Sequence, residues 1–151
     1  MRITIAAVGR WKRDATRDLF ETYRSRCRWD IDLKEVVARS ATAPAAVQAE
    51  EAALLRGALP ARSSMVALDA RGKAYDSEGF ASFLGARRDE GVRNLCFLIG
   101  GADGLTSDLA GRADVLLSMG PMTWPHMLVR VMLAEQIYRA QCILDGHPYH
   151  R

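Results

Sequence analysis

Cysteine is scarce and odd in number: Cys27, Cys96 and Cys142 stand far apart. They indicate neither a disulfide framework nor a zinc cluster. Long apolar runs are missing too. The longest charge-free apolar stretch, Val115 to Val129, contains Pro121 and Pro125 and cannot span a bilayer. At the N-terminus the apolar run Ile3 to Gly9 stops before Arg10, Lys12 and Arg13, too short for a secretory signal. Lysine is nearly absent: arginine outnumbers it 18 to 3. That bias suits forked phosphate contacts, and genome composition accounts for it equally well. Internal repeats and low-complexity linkers are lacking. The expectation is a reduced, cytoplasmic protein with no bound metal and no membrane partner.

What remains is ordinary soluble composition, with 49% hydrophobic and 26% charged residues, which excludes a disordered chain. The 151 residues suffice for one globular domain, residues 1–151, and are too few for two independent cores. The formal net charge of +3 hides an uneven distribution. Residues 1–28 carry eight basic groups (Arg2, Arg10, Lys12, Arg13, Arg17, Arg24, Arg26, Arg28) against Asp14, Asp18 and Glu21. This patch is compatible with a polyanion partner. On charge alone a solvated helix face is the plainer account.

The apolar pattern predicts strands at Arg2–Val8, Ile31–Val37, Ser64–Asp69, Asn94–Ile99 and Ala113–Ser118. Helical spacing predicts helices over Asp14–Cys27, from Thr42 or Pro44 to Gly57, and from Asp76 or Ser77 to near Gly91. A short helical segment at Ser107–Ala110 and a long helix from Pro125 to about Cys142 complete the set. Strands alternating with helices indicate an α/β domain with a mainly parallel sheet flanked by helices. The last helix is apolar almost all round, from Leu128 through Val131, Leu133 and Ile137 to Leu144. Such a helix is buried on both sides. With few elements left to cover it, a second subunit is expected there, although a central helix in a monomer is the alternative.

Three loops carry the candidate chemistry. Gly100-Gly101-Ala102-Asp103-Gly104 follows a strand, Leu68-Asp69 closes the strand before it, and Gly120 to Pro125 follows the next. In open α/β sheets, ligands bind at the carboxyl ends of the strands, where glycines let backbone approach closely. The glycine spacing matches neither dinucleotide-binding nor Walker loops, so a plain tight turn is as good an account of that loop by itself. The chain closes on Asp145-Gly146-His147-Pro148-Tyr149-His150-Arg151. Pro148 keeps the two histidines off one helix face and no fourth ligand is evident, which argues against metal. Imidazole, phenol and guanidinium side by side suit base stacking, hydrogen bonding and phosphate contact. A frayed tail is the bland account. His126 is equally readable as a satisfied core histidine.

Taken in order, Val8-Gly9, Leu68-Asp69-Ala70-Arg71-Gly72-Lys73, Leu98 to Leu105, Pro125 to Val131, Glu135 to Ala140 and His147-Pro148-Tyr149-His150-Arg151 form a set that resembles the ribosomal large-subunit RNA methyltransferase H family. That family belongs to the knotted SPOUT class, and the resemblance spans the whole chain. It implies a SPOUT-type fold with a C-terminal trefoil knot. It also implies a homodimeric enzyme that uses S-adenosylmethionine to methylate N3 of a pseudouridine in 23S rRNA, on the assembled ribosome. Carried over by position, the cofactor-binding residues are Leu68, Gly101, Gly120, Pro121, Met122, Thr123, Trp124 and Pro125. The catalytic set is His150, Tyr149, Arg151 and Arg139. His150 stands as base or orienter, Tyr149 contacts the target base, and Arg151 and Arg139 bind phosphate or steady charge. Family members often have Leu where this chain has Trp124, and Pro-Glu where it has Ala102-Asp103. Two other readings compete: a nucleotide-binding enzyme of flavodoxin-like architecture, and a non-catalytic ribosome-binding module carried by the basic first helix.

Overall fold

The computed structural model describes residues 1–150. Strand and helix alternate throughout as β1 (Arg2–Val8), α1 (Ala15–Arg26), β2 (Asp30–Val36), α2 (Pro44–Gly57), β3 (Ser64–Ala74), α3 (Ser77–Asp89), β4 (Asn94–Ile99), α4 (Ser107–Gly111), β5 (Val115–Ser118) and α5 (His126–Leu144). The five strands form one parallel sheet in the order β2-β1-β4-β3-β5. Strand side chains alternate between two cores, as a period of two requires. Ile3, Ile5 and Ala7 of β1 and Leu95, Phe97 and Ile99 of β4 pack with Phe20, Phe80, Leu84, Leu133 and Ile137 from α1, α3 and α5. Ala6, Val8 and Leu98 face the other way, onto Leu55 of α2 and Leu109 of α4.

Local chemistry sets the helix boundaries. Asp14 caps α1 by accepting from the backbone N–H groups of Thr16 and Arg17, each at 3.0 Å. Asp76 caps α3 through Gly79 N at 2.7 Å. At α2 the cap is Ala43 rather than Thr42, with Pro44 in the first turn and no side-chain cap. The preceding loop is held from within the helix, because Glu50 accepts from the backbone N–H of Arg39 and Ala41 at 2.9 Å each.

Three strands differ from the pattern reading, β2 only by starting and ending one residue earlier than Ile31–Val37. β3 runs on to Ala74 instead of stopping at Asp69. Leu117 of β5 faces both Leu68 and Lys73, so the ladder with β5 resumes after an irregularity across residues 69–72. Asp69 fastens that irregularity by accepting from Arg71 N and Arg71 Nε, both at 2.9 Å, and from Nη2 at 2.7 Å. Gly72 lies flush on β5: a Cβ there would come within 2.6 Å of the Leu116 carbonyl carbon. β5 begins at Val115, because the carboxylate of Asp114 is taken by Met65 N at 2.7 Å and Ser64 Oγ at 2.9 Å.

α5 packs against both α1 and α3. Much of its all-round apolar surface is therefore covered within the chain, with Leu128 left exposed.

Candidate functional site

Because every strand is parallel, all five carboxyl ends share one edge. The loops after β3, β4 and β5 meet there in a cavity of about 710 Å³, within the usual range for small-ligand sites. Leu68, Gly101 and the whole run Gly120, Pro121, Met122, Thr123, Trp124 and Pro125 line it, so the eight expected cofactor positions come together. Asp69, Met119, His126 and Met127 line it as well.

Tight backbone shapes this pocket. A Cβ at Gly100 would sit 2.6 Å from the carbonyl carbon of Gly104, and one at Gly101 would meet Glu51 Oε2 at 2.9 Å. The Trp124 indole N–H is buried with no hydrogen-bond partner among the described residues, and Trp124 lines the pocket. An unpaired buried donor is costly unless something accepts from it, so a ligand acceptor fits here. The contacts from Arg71 pull the Asp69 carboxyl down from its ordinary value to about 2. His126 is held below the usual imidazole range, first by burial and then by the positive charge of Arg130. It stands half-buried at the pocket wall, not in the core.

The tail residues assemble elsewhere. Tyr149 Oη donates to Glu135 Oε1 at 3.0 Å, and Arg139 Nε donates to the same oxygen at 2.9 Å. Arg139 Nη1 lies 3.3 Å from His150 Nδ1, and its guanidinium stacks 4.8 Å from the centroid of the Tyr149 ring. Tyr138 meets that ring edge-on, also at 4.8 Å. Burial, with Tyr23 and Glu135 alongside, keeps the Tyr149 phenol protonated well above its usual range. Arg151 lies outside the described residues.

His150, Tyr149 and Arg139 thus form one cluster and the cofactor positions another. Thirteen residues of α5 separate His126, at the pocket, from Arg139, which at the helical rise is about 20 Å. Glu135 and Tyr23 border an apolar groove of about 690 Å³ with Leu19, Tyr75, Phe80 and Met132, and this groove meets the pocket at Leu117, Met119 and Gly120, which line both.

The sequence reading does not single out Glu35 or Arg130. Arg130 is wholly buried next to the pocket, and its one signal in the sequence is a lone cation flanked by Val129 and Val131.

Comparison with known proteins covers the whole described chain. A family model described as "Predicted SPOUT methyltransferase" matches residues 1–150. The protein named "Ribosomal RNA large subunit methyltransferase H" from Rhodospirillum centenum is 56% identical over 151 residues, spanning 100% of this chain and 99% of its own. The protein of the same name from Gluconacetobacter diazotrophicus is 51% identical over 148 residues, covering 97% of this chain and 95% of its own. Among solved structures, a probable methylase family protein from Haemophilus influenzae superimposes with a TM-score of 0.56 at 9% identity. That match covers 99% of this chain and 70% of the other, and it speaks to the fold alone.

Proposed function

The chain belongs to the SPOUT methyltransferase family, and from that premise we propose that it methylates N3 of a pseudouridine in 23S rRNA, using S-adenosylmethionine and working as a homodimer on the assembled ribosome. The observation that carries this reading is the convergence of three strand-end loops on one pocket in a chain matched to its relatives end to end. The trefoil knot rests on the family resemblance, and the cytoplasmic location on the cysteine usage and short apolar runs of the sequence.

The pocket residues suit the cofactor. Gly101 and Gly120 to Pro125 offer backbone at close range, and the unpartnered Trp124 N–H offers a donor. When bound, S-adenosylmethionine supplies a sulfonium methyl, an electrophile for an imide nitrogen. The protein's task is then to place the base and help its imide proton leave. An imide about as weakly acidic as Tyr, near 10, is some 3 to 4 units from a histidine's ordinary value, a gap on the order of 5 kcal/mol. Guanidinium groups narrow it by stabilising the imidate. His150 is assigned the role of base or orienter, Tyr149 contacts the uracil ring, and Arg139 and Arg151 steady charge or hold phosphate.

The tail cluster gathers on Glu135 and Arg139, neither of which lines the cofactor pocket, and this supports a shared site, in which each tail serves the pocket of the other subunit. The apolar groove beside α5, with Leu19 exposed, is the surface we assign to the second copy.

Mass spectrometry of 23S rRNA from a strain lacking the protein tests the assignment. The N3-methylated pseudouridine is expected to disappear, and its retention would overturn the reading. Calorimetric titration with S-adenosylhomocysteine separates it from a flavodoxin-like enzyme, which would bind a phosphorylated cofactor instead. A ribosome-binding module would sediment with ribosomes and transfer no labelled methyl group.

A further inference from the structure

The basic excess of residues 1–28 divides sharply once side-chain partners are known. Arg2 pairs with Asp30, Arg17 with Glu21 and Glu35, Arg24 with Glu21, and Arg28 with Asp145. Of the α1 cations, Arg17 and Arg24 are thus neutralised, while Arg26 in the last turn is exposed with no carboxylate within 4.0 Å among the described residues. Arg10, Lys12 and Arg13 are all exposed and have no carboxylate within 4.0 Å among the described residues. They lie in the loop joining β1 to α1, at the same sheet edge as the pocket.

This loop has a built foundation. Arg130, from the second turn of α5, is wholly buried. Its Nη2 donates to the carbonyl oxygens of Val8 at 2.6 Å and Gly9 at 2.9 Å, and its Nη1 donates to Glu35 Oε1 at 2.8 Å. Glu35 Oε1 also accepts from Trp11 N at 2.9 Å. The Trp11 ring is buried over the Arg130 guanidinium, 5.2 Å from its centroid, and its indole N–H donates to Thr16 Oγ1 at 2.9 Å. Gly9 turns at φ +95°, a conformation open chiefly to glycine. A Cβ there would stand 3.7 Å from both His126 Nε2 and Met127 Cε, which line the pocket. The three cations therefore flank Trp11, a residue bolted to the core, and the bolt adjoins the pocket.

We propose that the Gly9–Arg13 loop is a preorganised clamp for the phosphates of the RNA strand whose target base enters the pocket, with Arg130 as the residue that positions it. The proposal rests on the rRNA reading above and specifies which surface takes the RNA. Fixing the loop before binding avoids the ordering cost that a mobile basic arm carries. Exposed, unpaired arginine and lysine give sequence-independent phosphate contacts with strong salt dependence. A carboxylate-paired helix face gives little of either.

The test uses the full-length protein and ribosomes from a strain lacking it, with two readouts: cosedimentation across a salt series, and steady-state transfer of labelled methyl. The variant Arg10→Ala/Lys12→Ala/Arg13→Ala is expected to weaken ribosome binding and raise KM on the order of tenfold while kcat stays within about twofold. The salt slope should become shallower by about 0.7 to 0.9 for each phosphate no longer neutralised. Unchanged binding and salt slope would overturn the proposal. Arg130→Lys loses the forked grip on Val8, Gly9 and Glu35 and is expected to raise KM similarly. Added to the triple variant it should raise KM no further, because both changes act through the same loop. Additive effects would assign Arg130 a structural role only. If the wild type transfers no methyl group, the functional reading fails, and the cosedimentation series still decides whether this loop holds RNA.

Discussion

Tyr149 Oη donates to Glu135 Oε1 at 3.0 Å, tying the end of the described chain to the middle of α5. The same carboxylate oxygen receives Arg139, so one acidic group organises phenol, guanidinium and, through Arg139, the imidazole of His150. Glu135→Ala is expected to release this arrangement. Hydrogen exchange at residues 147–150 should rise sharply, while urea denaturation shows a loss of about 1 kcal/mol. Unchanged protection of the tail would mean that packing against Tyr138 alone holds it.

Subunit mixing distinguishes a shared site from a self-contained one. His150→Ala is expected to slow single-turnover methylation on the order of 100-fold. Gly101→Val, with no room beside Glu51 and Val8, is expected to abolish cofactor binding. Mixing the two inactive proteins should restore roughly a quarter of wild-type activity, because half the dimers are mixed and each then has one intact composite site. No recovery after verified exchange would place tail and pocket in the same chain.

Trp124 supplies a buried indole N–H with no partner among the described residues. Trp124→Phe removes the donor and keeps an aromatic ring. Calorimetry should show S-adenosylhomocysteine binding weakened by about 1 kcal/mol, roughly fivefold, if the ligand accepts that hydrogen bond. Equal affinity would leave Trp124 as packing only.

At Gly72, added volume has nowhere to go. The Gly72→Ala methyl would lie 2.6 Å from β5 backbone, which cannot swing aside as a side chain can. A destabilisation of about 3 kcal/mol is expected from denaturant midpoints, as for overpacked cores. Gly57→Ala, where nothing lies within 4 Å of the new atom, is the control and should be near neutral.

The Asp69 carboxyl, drawn down from 3.8 to about 2 by Arg71, makes a stability contribution with a defined pH window. A folded-state value below the unfolded one stabilises above the unfolded value and is lost as pH falls through the folded one. Wild type should therefore exceed Asp69→Asn by about 1 kcal/mol at neutral pH, since the Arg71 partner is solvent-exposed. That margin should shrink between pH 4 and pH 2. A constant difference across that range would remove the charge from the account.

Much of this architecture is written as periodicity. Ile3 to Val8 and Leu95 to Ile99 form buried runs, and their strands match the expected limits at β1 and β4. The outer half of β3 is not visible that way. Ala70 to Lys73 has no apolar alternation, and the segment is kept in the sheet by the side-chain grip of Asp69 on Arg71 and by the flat fit of Gly72. The burial of α5 is legible while its cover is not, because periodicity says nothing about strand order. Placing β4 between β1 and β3 brings α1 and α3 to either side of α5. The pocket follows from the rule that parallel strands share one carboxyl edge. The roles of Glu35 and Arg130 depend on a pairing 95 residues apart in sequence.

Strand order also governs how the chain can be made. β1 and β3 are each completed before β4, yet β4 is the strand that joins them. At translation rates of about 5–20 residues per second, β1 waits roughly 5–20 s for its second partner. During that interval Ile3, Ile5 and Ala7 belong to an unfinished edge, and the docking of α5 comes later still. The protein's exposure to misassembly is therefore greatest while it is being synthesised, and a slowly translated stretch between residues 75 and 94 would lengthen it.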